Sequence, residues 1–221
     1  THQICGEPKP EVSNSGQTIR SAFMGVSLFK SCPALVFILI LVLCTQGIAT
    51  ASNLLFQNQL QISFPNIDEQ TAFSGHFYVW LNAATLVGQL VLAPLALRYV
   101  SPLIVQLALP TLHLATHLLA IFSPSLWTVG GAFLIFKSLD YSMFRASKEI
   151  LYMPLDFDAR FRAKELIDVF GYRFSKGATS FLFFGMERLL PFSLVYYPIS
   201  VCILALLWIF SGAKLARKIA T

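Results

Sequence analysis

The sequence predicts an all-α fold: a polytopic membrane protein with six transmembrane helices. Three observations carry this. Hydrophobic residues make up 56% of the 221 residues and charged ones only 12%, against roughly half and a quarter in soluble domains. Several apolar runs reach the ~20 residues a helix needs to cross a bilayer. Lys and Arg gather in alternate connecting segments, as membrane topology demands.

Residues 1–33 read as a cytoplasmic linker and residues 34–221 as a six-helix transmembrane domain. The polar start, with no Met at position 1, suggests a piece of a longer protein. Ile19, Phe23, Val26 and Phe29 recur at helical spacing between Arg20 and Lys30, a pattern that suits a short helix lying on the membrane surface. The spans follow at 35–60, 73–97, 102–122, 126–153, 165–186 and 192–213. Proline punctuates them. Pro33 precedes the first, Pro102 opens the third, Pro124 opens the fourth, Pro154 closes it and Pro191 precedes the sixth. At a helix end the missing N–H costs least. Pro110, inside the third span, predicts a kink.

Arg98, the cluster Arg160, Arg162 and Lys164, and the terminal Lys and Arg residues fall on one side, while the other side holds Arg188 with Asp68 and Glu69. Both termini are therefore expected in the cytoplasm. The net charge of +5 follows this topology rather than forming a nucleic-acid patch, so no nucleic-acid partner is expected.

Cys5, Cys32, Cys44 and Cys202 show no C-x-x-C spacing, and neither a disulfide framework nor a zinc site is indicated. His113 and His117 are four apart, without an identifiable third ligand. Neither a nucleophile elbow nor a phosphate-binding glycine loop occurs. The chain reads as a non-enzyme with no cofactor and no metal.

One group of charges breaks the rule of charge in loops. Lys137, Asp140, Arg145, Lys148 and Glu149 lie in the fourth span, and Asp168, Arg173 and Lys176 in the fifth. Ionised groups at membrane depth cost several kcal/mol by most estimates and usually face a path or a partner. At 100° per residue, Lys137, Asp140, Tyr141, Phe144 and Lys148 occupy one third of the fourth helix. Arg145 and Glu149 are spaced to pair with each other. Asp168, Tyr172, Ser175, Lys176 and Thr179 share a face of the fifth. An ion-pair network merely holding two helices together would give this pattern. The excess of bases over acids instead points to an anionic visitor. Gly130, Gly131, Gly171, Gly177 and Gly185 suit close helix packing.

The blocks Lys148-Glu149-Ile-Leu-Tyr152-Met-Pro154-Leu155, Ala163-Lys-Glu-Leu-Ile167-Asp168-Val169 and Ser175-Lys176-Gly177 resemble the nucleotide transporters (ATP/ADP translocases) of plastids and obligate intracellular bacteria. The resemblance runs from the first span onward, with a weaker block at Ala72-Phe73-Ser74-Gly75-His76-Phe77, and corresponds to the C-terminal six-helix half of a twelve-span protein. It implies a fold resembling one half of a major-facilitator-type transporter, with alternating access around a central site between halves. The candidate substrate-binding residues are Lys148, Lys176, Lys137, Arg173, Asp140, Glu149, Asp168 and Asn53. Lys148 and Lys176 would face nucleotide phosphates, with Glu149 and Asp168 tuning or latching the site. The implied partners are a nucleotide or organic phosphate, the lipid bilayer, and an N-terminal six-helix half or a second copy. A bacterial inner membrane is the implied location. Energy-exchanging members carry an acid and a lysine flanking a tryptophan in the first of these helices, where this chain has Asn53, Phe56 and Gln57. That places the likeness with a divergent bacterial branch. A non-transporting anchor or sensor that keeps the fold is the alternative.

Overall fold

A computed structural model describes residues 29, 33–153, 161, 164–189 and 193–220. The predicted surface stretch (apart from Phe29), Cys5, Cys32, Pro154, Arg160, Arg162 and Pro191 lie outside them. Every described element is helical. Helix α1 is Pro33–Ser63. Helix α2 runs over Ile67–Val87, Gly88–Leu92 and Ala93–Tyr99, the middle piece a π-turn. Helix α3 is Pro102–Phe122. Helix α4 joins Leu126–Leu139 and Arg145–Tyr152 through a π-turn at Asp140–Phe144. Helix α5 joins Lys164–Leu166 and Tyr172–Leu189 through a π-turn at Ile167–Gly171. Helix α6 is Tyr196–Ala220.

The starts are written in cap chemistry. Asn66 Oδ1 accepts the Asp68 amide at 2.9 Å, and Asp68 and Glu69 then sit in the first turn of α2, where the helix dipole favours acids. Ser101 caps α3 ahead of Pro102. Ser125 and Thr128 cap α4 reciprocally, at 3.2 and 3.0 Å. Pro110 sits inside an unbroken α3.

Helix α1 is the hub, packing on α4, α5 and α6, while α6 also packs on α3, α3 on α4, and α2 on α4. Phe56 of α1 stacks on Phe77 of α2 (centroids 4.4 Å) and Phe133 of α4 (5.2 Å). Gly130 lies against this stack, where an added Cβ would stand in ordinary contact with the Phe77 ring at 3.4 Å. Gly171 lets α5 close on Leu39 and Val42 of α1, since a Cβ there would lie 3.1 Å from Leu39, whereas Gly131, Gly177 and Gly185 have open space around the missing Cβ. Polar ties cross the interior too. Gln106 of α3 donates to Ser147 of α4 at 2.9 Å and accepts from the Trp208 indole of α6 at 3.3 Å.

Among the described residues, four helices are long and apolar enough to cross a membrane: Ala34–Ser63, Ile67–Tyr99, Pro102–Phe122 and Tyr196–Arg217. The charged α4 and α5 are not among those four. The outer surface is apolar, with Trp80 71% and Leu90 69% exposed on α2 and Phe174 70% and Phe181 77% on α5. Patches of this size belong against lipid or protein. This is an integral membrane protein.

Candidate functional site

The π-turn of α4 has identifiable causes. A wide turn leaves carbonyls without their ordinary partners, and side chains take them up. Ser142 Oγ donates to the Ser138 carbonyl at 2.5 Å, and Gln89 Nε2 of α2 donates to the Tyr141 carbonyl at 3.0 Å. Gly88 brings α2 that close, for a Cβ there would lie 2.9 Å from Ser142 Oγ. Gly88 opens a π-turn of its own, and Pro94 follows it. Proline removes an amide donor and crowds the carbonyl four residues back, which is that of Leu90.

The α4 and α5 π-turns flank one cleft of about 280 Å³, lined by Val42 and Gln46 of α1, Asp140, Phe144, Arg145, Lys148 and Glu149 of α4, and Asp168 and Tyr172 of α5. Lys148 Nζ donates to Asp168 Oδ1 at 2.6 Å across it, with side chains only 12% and 32% exposed. Such a charge-assisted bond is strong in geometry but offset by the desolvation of both groups. Glu149 pairs outward with Lys164 at 2.5 Å, a more exposed contact of small energetic weight.

Arg145 does not pair with Glu149 as the i, i+4 spacing predicts. Its guanidinium lies 4.4 Å from the centroid of the Tyr141 ring. Lys137 lies 5.0 Å from the same ring, with Nζ 3.5 Å from the Tyr141 hydroxyl. One tyrosine thus spaces two cations along the helix.

Of the eight predicted site residues, Asp140, Lys148, Glu149 and Asp168 line the cleft. Lys137 stands beside it at Tyr141. Arg173 and Lys176 are exposed on α5, and Asn53 is half-buried in α1 away from the lining. The predicted excess of bases therefore does not gather inside the cleft. Its lining holds three acids and two bases, and the surplus cations stand outside. Sequence reasoning missed Gln46 and the Tyr141 ring as a spacer between Lys137 and Arg145. Gln46, beside Thr45 and Thr50 in an apolar run, was the one available signal.

Residues 125–219, which include all the α4 and α5 walls of the cleft, match the model of the TLC ATP/ADP transporter family. That stretch is similar to the TLC ATP/ADP transporters. It is 27% identical to ADP,ATP carrier protein 1 of Chlamydia muridarum over 212 aligned residues, covering 84% of this chain and 39% of the carrier. With ADP,ATP carrier protein 3 of Rickettsia conorii the identity is 23% over 176 residues, 70% of this chain and 35% of that one. A shorter stretch of 88 residues is 32% identical to ADP,ATP carrier protein 4 of Rickettsia bellii, covering 37% of this chain and 17% of that carrier. The chain spans about two fifths of the length of the first of these carriers. No solved structure matches.

Proposed function

We propose that the chain forms half of a membrane transporter for nucleotides, exchanging ATP and ADP or moving a related organic phosphate by alternating access. The observation that carries this is the Lys148–Asp168 pair inside a cleft whose α4 and α5 walls fall within the stretch matched by the ATP/ADP transporter family. The lysine is held by a carboxylate on a neighbouring helix, and a phosphate is a carboxylate's natural competitor for an ammonium group. Substrate entry replaces Asp168 on Lys148, and the released acid later helps expel the product. Arg145, already turned toward the cleft, supplies the second cation. Lys137, Arg173 and Lys176 form the outer rim that attracts the anion.

In this reading α4 and α5 also cross the membrane, giving six spans of a major-facilitator-type half, with residues 1–33 as the linker. The Lys and Arg distribution supports cytoplasmic termini in a bacterial inner membrane. The exposed faces of α2 and α5 favour a second six-helix half, or a second copy, across the path. Net charge moved would be driven at about 2.3 kcal/mol per charge per 100 mV.

The test is uptake of radiolabelled ATP and ADP by bacterial cells producing the full-length protein. Lys148→Gln should abolish uptake at normal membrane abundance. Uptake by the variant equal to that of the parent would refute the reading.

A further inference from the structure

Asp140 is the cleft's anomaly. Its side chain is 4% exposed, and Oδ1 is one of three buried side-chain atoms without a hydrogen-bond partner among the described residues. The other two acids of the lining are each engaged by a lysine, Asp168 by Lys148 and Glu149 by Lys164. Asp140 lies in the field of Lys137, Arg145 and Lys148 on its own helix and of Tyr172 on α5, yet none of them donates to Oδ1. A buried carboxylate oxygen left unpaired costs free energy that a ligand donor can recover.

An acid is misplaced in a cleft that only has to hold phosphates, because like charges repel. It makes sense where the neutral end of the ligand lies. A nucleotide has such an end, and the donors closest to its phosphates are the hydroxyls of the sugar. The cleft of about 280 Å³ is matched to a sugar with its adjoining phosphate rather than to a whole nucleotide. Asp140 also lies about a helical turn before Arg145 and two before Lys148 along α4, all three in the lining, an order that suits a sugar followed by its phosphate.

We propose that Asp140 accepts hydrogen bonds from the ribose hydroxyls of the nucleotide, so that this carboxylate selects ribonucleotides over their deoxy counterparts. It rests on the nucleotide reading above. A site built around a substrate hydroxyl discriminates sharply against the analogue that lacks it, since the buried acceptor is then left bare.

The experiment measures competition against labelled ATP by unlabelled ATP, 2′-deoxy-ATP and 3′-deoxy-ATP, on membranes carrying the full-length protein. The expected result is that at least one deoxy analogue competes roughly 10- to 100-fold more weakly than ATP. Asp140→Ala should reduce that ratio to within about twofold, and Asp140→Asn, which keeps a carbonyl acceptor, should restore part of it. Equal competition by all three nucleotides in the parent protein overturns the proposal without any variant having to fold, and so does a ratio that survives in Asp140→Ala. If ATP itself does not bind, the nucleotide reading falls and takes this one with it. Binding of ATP without hydroxyl discrimination sinks this proposal alone.

Discussion

Lys148 and Asp168 close a bond between helices α4 and α5 at 2.6 Å, and each belongs to a segment that contains a π-turn or follows one directly. The bond is the main ionic link between the two walls of the cleft, so its two ends respond differently to removal. Asp168→Asn leaves Lys148 free of its competitor and should tighten nucleotide binding by roughly 3- to 10-fold, about 0.7–1.4 kcal/mol. Transport should slow, because release becomes harder. Equilibrium binding and initial uptake rates measured on the same membranes check both halves of this outcome. Weaker binding in Asp168→Asn would argue that the acid positions Lys148 rather than competing for it.

Gly88 governs how closely α2 approaches the α4 π-turn. In Gly88→Ala the new Cβ meets Ser142 Oγ at 2.9 Å and Ser142 Cβ at 3.1 Å. Ser142 has little freedom to yield, since its hydroxyl is committed to the Ser138 carbonyl. The expected loss is about 1–3 kcal/mol of stability, typical of overpacking. Thermal unfolding in detergent should show it, and Ser142→Gly introduced together with Gly88→Ala should recover most of it.

Ser52 of α1 and His117 of α3 are fully buried, with Ser52 Oγ and His117 Nε2 2.8 Å apart. His117 Nδ1 faces the His113 carbonyl at 2.9 Å. A carbonyl only accepts, so Nδ1 carries the proton, Nε2 is the acceptor and Ser52 donates. Ser52→Ala leaves Nε2 buried and bare and should cost about 1–3 kcal/mol. Ser52→Thr keeps the donor and should cost less in the same unfolding assay. Equal losses from the two substitutions would reject the bond as the cause.

Gln106 holds α4 and α6 to α3 by two bonds. Gln106→Leu preserves most of the volume but strands the Trp208 indole N–H and leaves the Ser147 hydroxyl with its bond to the Phe144 carbonyl alone. It should therefore destabilise more than Trp208→Phe, which keeps an aromatic ring and strands only one amide oxygen. Ranking the midpoints of the two variants decides it.

Helix existence and class were legible because apolar run length is a crude and robust signal. Boundaries were less so. The second span was expected to begin at 73, yet α2 begins at Ile67. The polar first turn of Asp68 and Glu69 hides it from a hydropathy reading, although Asn66 followed by acids is a helix-start signature. The charged face of α4 was legible only in part. A wheel at 100° per residue puts Lys137, Tyr141 and Lys148 together, but the π-turn at Asp140–Phe144 makes the following residues lag by about a quarter turn. Asp140, Phe144 and Lys148 consequently share the cleft while Lys137 and Tyr141 remain beside it. Nothing in the local sequence announces such a turn except serines at 138 and 142, and the bond of Gln89 to the Tyr141 carbonyl comes from another helix. The Lys148–Asp168 pairing was out of reach for the same reason, since it depends on the relative rotation of two helices.

Helix α2 leaves much of its length uncovered, with Val79, Trp80, Leu86, Leu90 and Val91 turned outward. Lifted out of lipid, that flank is adhesive: water would drive it against any other greasy surface, including its own copies. Detergent or nanodisc therefore becomes a reagent that decides the apparent assembly state. A dimer seen after extraction would have to be reproduced in a bilayer before it counted as a property of the protein.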